Sequence, residues 1–279
     1  MVNTSPVSYD FLSISSSGAL TIKDNYKNEL QGKITLPAKD INGKTITSIG
    51  LNGLANMKNV THLFFEKDSA YQEIGNSACR LSSFKYVDLP QGLLTVGDKA
   101  FEGCANLETI ILPDSITRIG SQAFAADSAP LKVKINKLPA SLTELGDGAF
   151  WNAGPNITIS HIPSGVRRIP MTCFFACTNL TIAEFGIDSG EGGLETIEDY
   201  AFFSAGTGVT PDFNKVIFKK SVKSVALDDG MRSPSFKSSY LNNPAIEIIE
   251  IHNADLYALT QDAMSFTGDG ESAKIQYVP

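Results

Sequence analysis

Nowhere among the 279 residues do about 18 apolar side chains follow one another, which is the run a membrane-crossing helix needs. Basic clusters are missing as well. Arg167-Arg168 and Lys219-Lys220 are isolated pairs flanked by apolar residues, and the net charge is −7. Phosphate recognition rests on clustered Lys and Arg, so no nucleic-acid partner is expected, and no membrane span in this chain. Cysteine is scarce: Cys79, Cys104, Cys173 and Cys177 are too few to staple a chain this long. Cys173 and Cys177 stand four apart without the second pair or neighbouring histidine that would complete a tetrahedral metal set. The start, Met1-Val2-Asn3-Thr4-Ser5, lacks the basic and apolar portions of an export signal, which leaves open whether one was removed. As given, the chain is expected to dissolve in water.

What is present is a repeat. An aliphatic residue, usually Gly, two variable residues and then Ala-Phe recur as Val96-Gly97-Asp98-Lys99-Ala100-Phe101, Ile119-Gly120-Ser121-Gln122-Ala123-Phe124 and Leu145-Gly146-Asp147-Gly148-Ala149-Phe150. Ile74-Gly75 leads a close copy ending in Ala78-Cys79. Looser copies begin at Ile49, Ile169 and Ile197, so that successive units start 25, 22, 23, 26, 24 and 28 residues apart. An aliphatic-proline pair stands in phase ahead of the units, at Leu36-Pro37, Leu89-Pro90, Leu112-Pro113, Leu138-Pro139 and Ile162-Pro163. A fixed period of this length means stacked coils.

Each coil reads as one short strand ending at the proline, a turn, and a short helical or 3₁₀ segment carrying Ala-Phe. Proline has no N–H, so the chain leaves the ladder there. The glycine is expected to permit a backbone turn that a side chain would obstruct. Ala keeps neighbouring coils close, and Phe101, Phe124, Phe150, Phe174 and Phe202 are expected to stack into one core ladder. A lone coil buries too little to hold itself, and stacking must supply the rest.

The stretch Ala100-Phe101-Glu102-Gly103-Cys104-Ala105-Asn106-Leu107-Glu108-Thr109-Ile110-Ile111-Leu112-Pro113 resembles, at nearly every position, the BspA-like leucine-rich repeat family of bacterial surface proteins. The resemblance covers about residues 30–225. It implies an α/β repeat solenoid: a right-handed leucine-rich-repeat superhelix of short parallel strands, with turns and short helical or 3₁₀ segments opposite and an N-terminal β-hairpin cap. It also makes Cys104 and Cys177 repeat-position cysteines, small buried thiols facing the core.

Solenoids expose apolar ends and need caps. Residues 1–29 are expected to form the hairpin cap, with Phe11 to Ile14 and Ala19 to Ile22 as its strands around the turn at 15–18. Residues 30–227 carry the repeats. Residues 228–279 combine an irregular Ser-, Asn- and Gly-rich loop over 228–243 with a terminal repeat and cap, the whole forming one continuous domain. The closing segment from Ala273 to Val278 resembles the strand that ends family members ahead of a short terminal helix.

Catalytic signatures are missing: there is no nucleophile elbow, phosphate-binding loop, dinucleotide fingerprint or metalloprotease motif. His62, His161 and His252 fall on separate coils and are read as surface histidines that do not converge on a metal. Glu247 with Glu250 and Glu195 with Glu198 are read as a solvated charged face. Gly268-Asp269-Gly270 lacks the ligands that follow in a calcium loop and is read as a turn. No catalytic residue, no metal and no cofactor are expected.

Function is sought on the outward side of the proline-terminated strands, where alternation turns residues from the core. Thr61, His62 and Phe64, then Lys85, Tyr86 and Asp88, then Glu108, Thr109 and Ile111, and further on Lys132 and Lys134, line that face. The candidate binding residues are His62, Phe64, Lys85, Tyr86, Asp88, Thr109 and Ile111, since apolar and aromatic residues repeated over adjacent exposed strands mark contact patches. Cross-strand pairing alone also favours such residues. The resemblance implies a non-catalytic binding module of a bacterial secreted or cell-surface protein, in adhesive contact with an extracellular protein or glycan. A structural spacer of a larger surface protein is the alternative, an enzyme the remote one, and the oligomeric state is open.

Overall fold

The computed structural model describes residues 9–227, 234–237, 239–262 and 273–279. Gly268-Asp269-Gly270 and part of the loop expected at 228–243 lie outside the described residues. The chain winds as stacked coils whose strands fall into two parallel sets rather than one. The Ile-Gly units form the first set. Ser48–Ile49, Glu73–Ile74, Thr95–Val96, Arg118–Ile119 and Glu144–Leu145 lie side by side in sequence order. Arg168–Ile169, Thr196–Ile197 and Ser224–Val225 form a further three-stranded sheet. Strands of two residues are too short to show an alternating pattern, which is why this set was not expected.

The proline-terminated segments form the second set. Gly32–Leu36, Val60–Phe65, Tyr86–Val87 and Thr109–Ile110 pair in order, and so do Glu184–Phe185, Lys215–Phe218, Ile248–Ile251 and Lys274–Tyr277. Between these two sheets the corresponding segments form no named strand among the described residues and carry an isolated bridge from Ile135 to Ile157. Within a coil, Leu107 and Ile110 are buried and Leu112 is partly covered.

The Ala-Phe segments are runs of turns, where a helical or 3₁₀ segment was expected. The reason lies in the backbone hydrogen bonds. In 99–104, the N–H groups of Ala100, Glu102 and Cys104 close turns onto Gly97, Lys99 and Phe101. Those of Lys99, Phe101 and Gly103 instead donate to Ser121, Ala123 and Ala125 of the next coil, at 2.8, 2.8 and 2.9 Å. A helix would spend every N–H internally and leave nothing to join coils. The alternation is achieved by left-handed residues at the second variable position: Asn52, Ser77, Lys99, Gln122, Thr172 and Tyr200 all have φ between 54° and 57°.

Glycine in the Ile-Gly pair therefore serves close approach, not a turn. Gly97 has no left-handed φ, but a Cβ there would lie 2.7 Å from the carbonyl carbon of Gly75 one coil earlier, and one at Gly146 would collide with the Ser121 nitrogen. The Gly97 N–H donates to Ile74 C=O at 2.7 Å, with the coils drawn together at that point.

The expected aromatic ladder is continuous. Phe101, Phe124, Phe150, Phe174 and Phe202 stack with centroids 5.4, 5.6, 5.4 and 5.4 Å apart, and Phe236 extends the column at 4.8 Å. Leu54 and Cys79 fill the same buried position in the earlier coils. At one end Leu12–Ile14 pairs antiparallel with Ala19–Ile22, which pairs parallel with Ser48–Ile49. At the other, the helix Ala254–Asp262 starts where the Asn253 side chain accepts the Leu256 N–H at 2.9 Å, buries Leu256, and sets Tyr257 against Tyr277.

Three substitutions test this account. Gly146→Ala should destabilise by about 2–3 kcal/mol or more through backbone collision, whereas Gly92→Ala, with open space around it, should stay within about 0.5 kcal/mol. Phe124→Ala, in the middle of the ladder, should cost about 3–5 kcal/mol. Denaturant titration followed by circular dichroism reads all three.

Candidate functional site

The strand register of the second set decides which outward residues meet. Lys33 is opposite His62, His62 opposite Tyr86 and Tyr86 opposite Thr109, while Thr35 faces Phe64. His62, Phe64 and Tyr86 consequently form a three-ring cluster, with centroids 6.2 Å apart for His62 and Phe64, 5.9 Å for His62 and Tyr86 and 5.5 Å for Phe64 and Tyr86. All three are half-buried against one another. Thr61 Oγ1 lies 2.9 Å from His62 Nδ1 and donates to Gly32 C=O at 3.1 Å, which fixes the imidazole at the rim of the cluster.

The other candidate residues flank it. Thr109 continues the His62–Tyr86 row and is exposed, as are Lys85 and Asp88. Lys85 contributes its carbonyl to the fold, accepting the Glu108 and Thr109 N–H groups at 2.9 and 3.0 Å. Ile111 stands apart from the rings: it is 62% exposed and lines a groove of about 500 Å³ shared with Thr109, Lys134 and Asn136. The rings and Thr109 are thus one patch, and Ile111 belongs to the next feature along the face.

Several residues read from the sequence as surface groups are placed differently. Glu250, expected on a solvated face, is only 8% exposed and bonds Lys215 at 2.7 Å and His252 at 2.8 Å. His252, expected at the surface, has a side chain 15% exposed and is held on its other nitrogen by Asp188 at 2.7 Å. Stacking carries Asp188 to a partner 64 residues away, a proximity no local pattern announces. Glu195 is engaged by Arg167 and Lys223, and Glu198 by Arg168. These carboxylates are tied to cations and do not oppose one another across a cleft.

All four cysteines are buried and unpaired. Burial pushes their thiols up, that of Cys104 to about 12, so none offers a thiolate near neutral pH. Among the described residues no group of three His, Cys, Asp or Glu side chains is placed to hold a metal ion. A second aromatic row went unremarked in the sequence. Trp151, Phe175 and Phe203, each directly after a ladder phenylalanine, stack outside it at 5.9 and 4.6 Å. The signal was the repeated aromatic pair, Phe150-Trp151, Phe174-Phe175 and Phe202-Phe203.

A family model described as the BspA type leucine rich repeat region matches six copies over residues 33–131 and 131–228. No curated protein matches the chain. Among solved structures it is similar to a leucine-rich repeat protein from Bacteroides ovatus, with a TM-score of 0.56 and 18% identity, covering 89% of this chain and 66% of that one. It is also similar to a leucine rich repeat protein from T. pallidum, with a TM-score of 0.51 and 17% identity, over 94% of this chain and 98% of that one. The chain spans just under two thirds of the Bacteroides ovatus protein, and at these identities the likeness is one of fold.

The His252 cluster makes stability depend on pH. Desolvation lowers the imidazole's affinity for a proton, but the hydrogen bonds and charges of Glu250 and Asp188 outweigh it, and its pKa lies above the ordinary 6.5. That contribution is complete below about pH 6.5 and fades as pH rises through the folded value. For Asp188, desolvation opposes ionisation, but His252 and the Lys220 N–H outweigh it. Lys215 and then His252 hold Glu250 low. Both carboxyls sit below their ordinary 3.8 and 4.5, so their contribution is complete above those values and fades as pH falls through the folded ones. Stability from this cluster should therefore be greatest between about pH 4.5 and 6.5 and decline above. His252→Asn should flatten the upper arm in urea titrations across that range; an unchanged profile would remove the imidazole from the account.

Proposed function

Because the chain belongs to the BspA type leucine-rich repeat family and is accordingly a protein-interaction module, we propose that it is the binding array of a bacterial secreted or cell-surface protein, in adhesive contact with an extracellular protein. The contact surface is the proline-side sheet, centred on His62, Phe64 and Tyr86 and bordered by Lys85, Asp88, Thr109 and Ile111. Residues 1–29 and 228–279 serve as its ends and residues 30–227 as the repeats. The surface location rests on family membership, and no helix among the described residues is long and apolar enough to cross a membrane.

The observation that carries this reading is the ring cluster. Three rings within 6.2 Å of one another on an outward sheet face are partly desolvated before any partner arrives. Aromatic side chains hold few rotatable bonds, so they bury large area at small entropic cost, and they dominate binding hot spots. A structural spacer needs no such patch, and a glycan would serve the same rings as a partner of different chemistry.

A screen against immobilised extracellular-matrix proteins and glycans identifies the partner. Phe64→Ala and Tyr86→Ala should then each weaken binding by about 2 kcal/mol, or roughly 30-fold, with the melting temperature little changed. Affinity unaltered in both variants would exclude the patch as the contact surface.

A further inference from the structure

The interruption in the proline-side sheet has a countable cause. From Leu107 to Pro113 the chain advances six positions, from Leu131 to Pro139 eight, and from Ile157 to Pro163 six again. Neighbouring strands keep register at both ends only when equal lengths lie between, and here two surplus residues do not fit. Thr109–Ile110 is consequently the last strand of its sheet. Among the described residues no backbone hydrogen bond joins 107–113 to 131–138, and contact resumes only where the Ser141 N–H donates to Asp114 C=O at 3.2 Å.

The groove of about 500 Å³ lies along this break, between Thr109 and Ile111 on one bank and Lys134 and Asn136 on the other. One end is tied by Asp114, which accepts from Lys137 at 2.9 Å and from the Ala140 N–H at 3.1 Å. The N–H groups of Lys132 and Lys134 have no protein partner among the described hydrogen bonds. Such an open strand edge is a template for another strand.

Charge narrows what that strand is. Leu131, Val133 and Ile135 are buried, so Lys132 and Lys134 alternate on the exposed side, about 6.6 Å apart along the segment. Neither forms an ion pair among the described residues, in a chain whose net charge is −7. Glu108 on the opposite bank is also without an ion pair among the described residues and repels acidic groups from that side. Carboxylates are therefore directed toward Lys134 on the groove's bank and Lys132 two residues earlier on the same segment, with Ile111 offering their aliphatic stems an apolar surface.

We infer that this groove takes an extended peptide segment of a partner protein, added as a strand along the unpaired edge of residues 131–135, with carboxylate side chains at alternate positions meeting Lys132 and Lys134. The inference rests on the reading that this face of the array binds protein, and extends it by giving the chemistry of the partner segment at one place.

The test uses the whole chain and fluorescence anisotropy with three labelled probes: a short peptide with Glu at alternate positions and Val or Thr between, the same peptide with Lys for Glu, and the Glu peptide N-methylated at alternate backbone nitrogens. The Glu peptide should bind, and the Lys peptide and the N-methylated peptide should each be weaker by about tenfold or more. The double variant Lys132→Glu, Lys134→Glu should lose the Glu peptide by a similar factor while melting like the parent. Phe64→Ala should leave the peptide's affinity unchanged, so that failure here is told apart from failure of the aromatic patch. Equal binding of the N-methylated peptide would overturn strand addition, and unchanged binding by the charge-reversed variant would overturn the site. Displacement of the peptide by a sulfated oligosaccharide at comparable concentration would show a general anion surface and overturn the peptide assignment, as would no binding of the Glu peptide at all.

Discussion

The structure depends on one spacing. Adjacent parallel strands lie about 4.8 Å apart, and aromatic rings stack comfortably with centroids only slightly farther apart. In this chain the phenylalanine column runs at 4.8 to 5.6 Å. Sheet hydrogen bonds and ring contacts therefore demand nearly the same rise per coil, and a sequence that meets one meets the other. The need for close backbones explains glycine beside the aliphatic residue, alanine beside the phenylalanine, and turns in place of helix. A helix would have widened each coil and consumed the N–H groups that reach across.

Such a constraint fixes the interior and leaves coil length free, because surplus residues can be sent outward. Units start anywhere from 22 to 28 residues apart without disturbing the ring column. Between Val225-Ala226 and Ser235-Phe236 the insertion is longer, yet Phe236 still lands on Phe202. Between Leu131 and Pro139 the surplus falls inside the proline-terminated segment, and there the sheet parts. Variation in such an array is thus absorbed at the surface, where the ring cluster and the groove both lie.

Legibility followed the same division. Ala-Phe at a steady period made the column from Phe101 to Phe202 readable, because every member occupies the same position in a local motif. Phe236 was hidden: its unit has Val225-Ala226 for Ile-Gly, and the insertion separates it from Ser235-Phe236, so the segment read as loop. The outward placement of His62, Phe64 and Tyr86 could be read from alternation, but their meeting in one cluster needed the register between strands. Helix Ala254–Asp262 was missed although Asn253 is a good N-cap, since a single short helix carries little periodicity. The contact of His252 with Asp188 was beyond reach, because it depends on which coils stack.

The hydrogen bonds between coils run in two senses. The later coil donates to the earlier from Gly97 to Ile74 and from Lys85 to Thr61, while the earlier donates to the later from Phe101 to Ala123 and from Ile135 to Asn156. Peptide dipoles of opposite sense therefore lie along the stacking axis and offset one another. An α-helix, with every peptide aligned, gathers partial charges at its two termini. An array built this way can gain or lose coils over evolution without acquiring polarised ends that attract stray ions or one another.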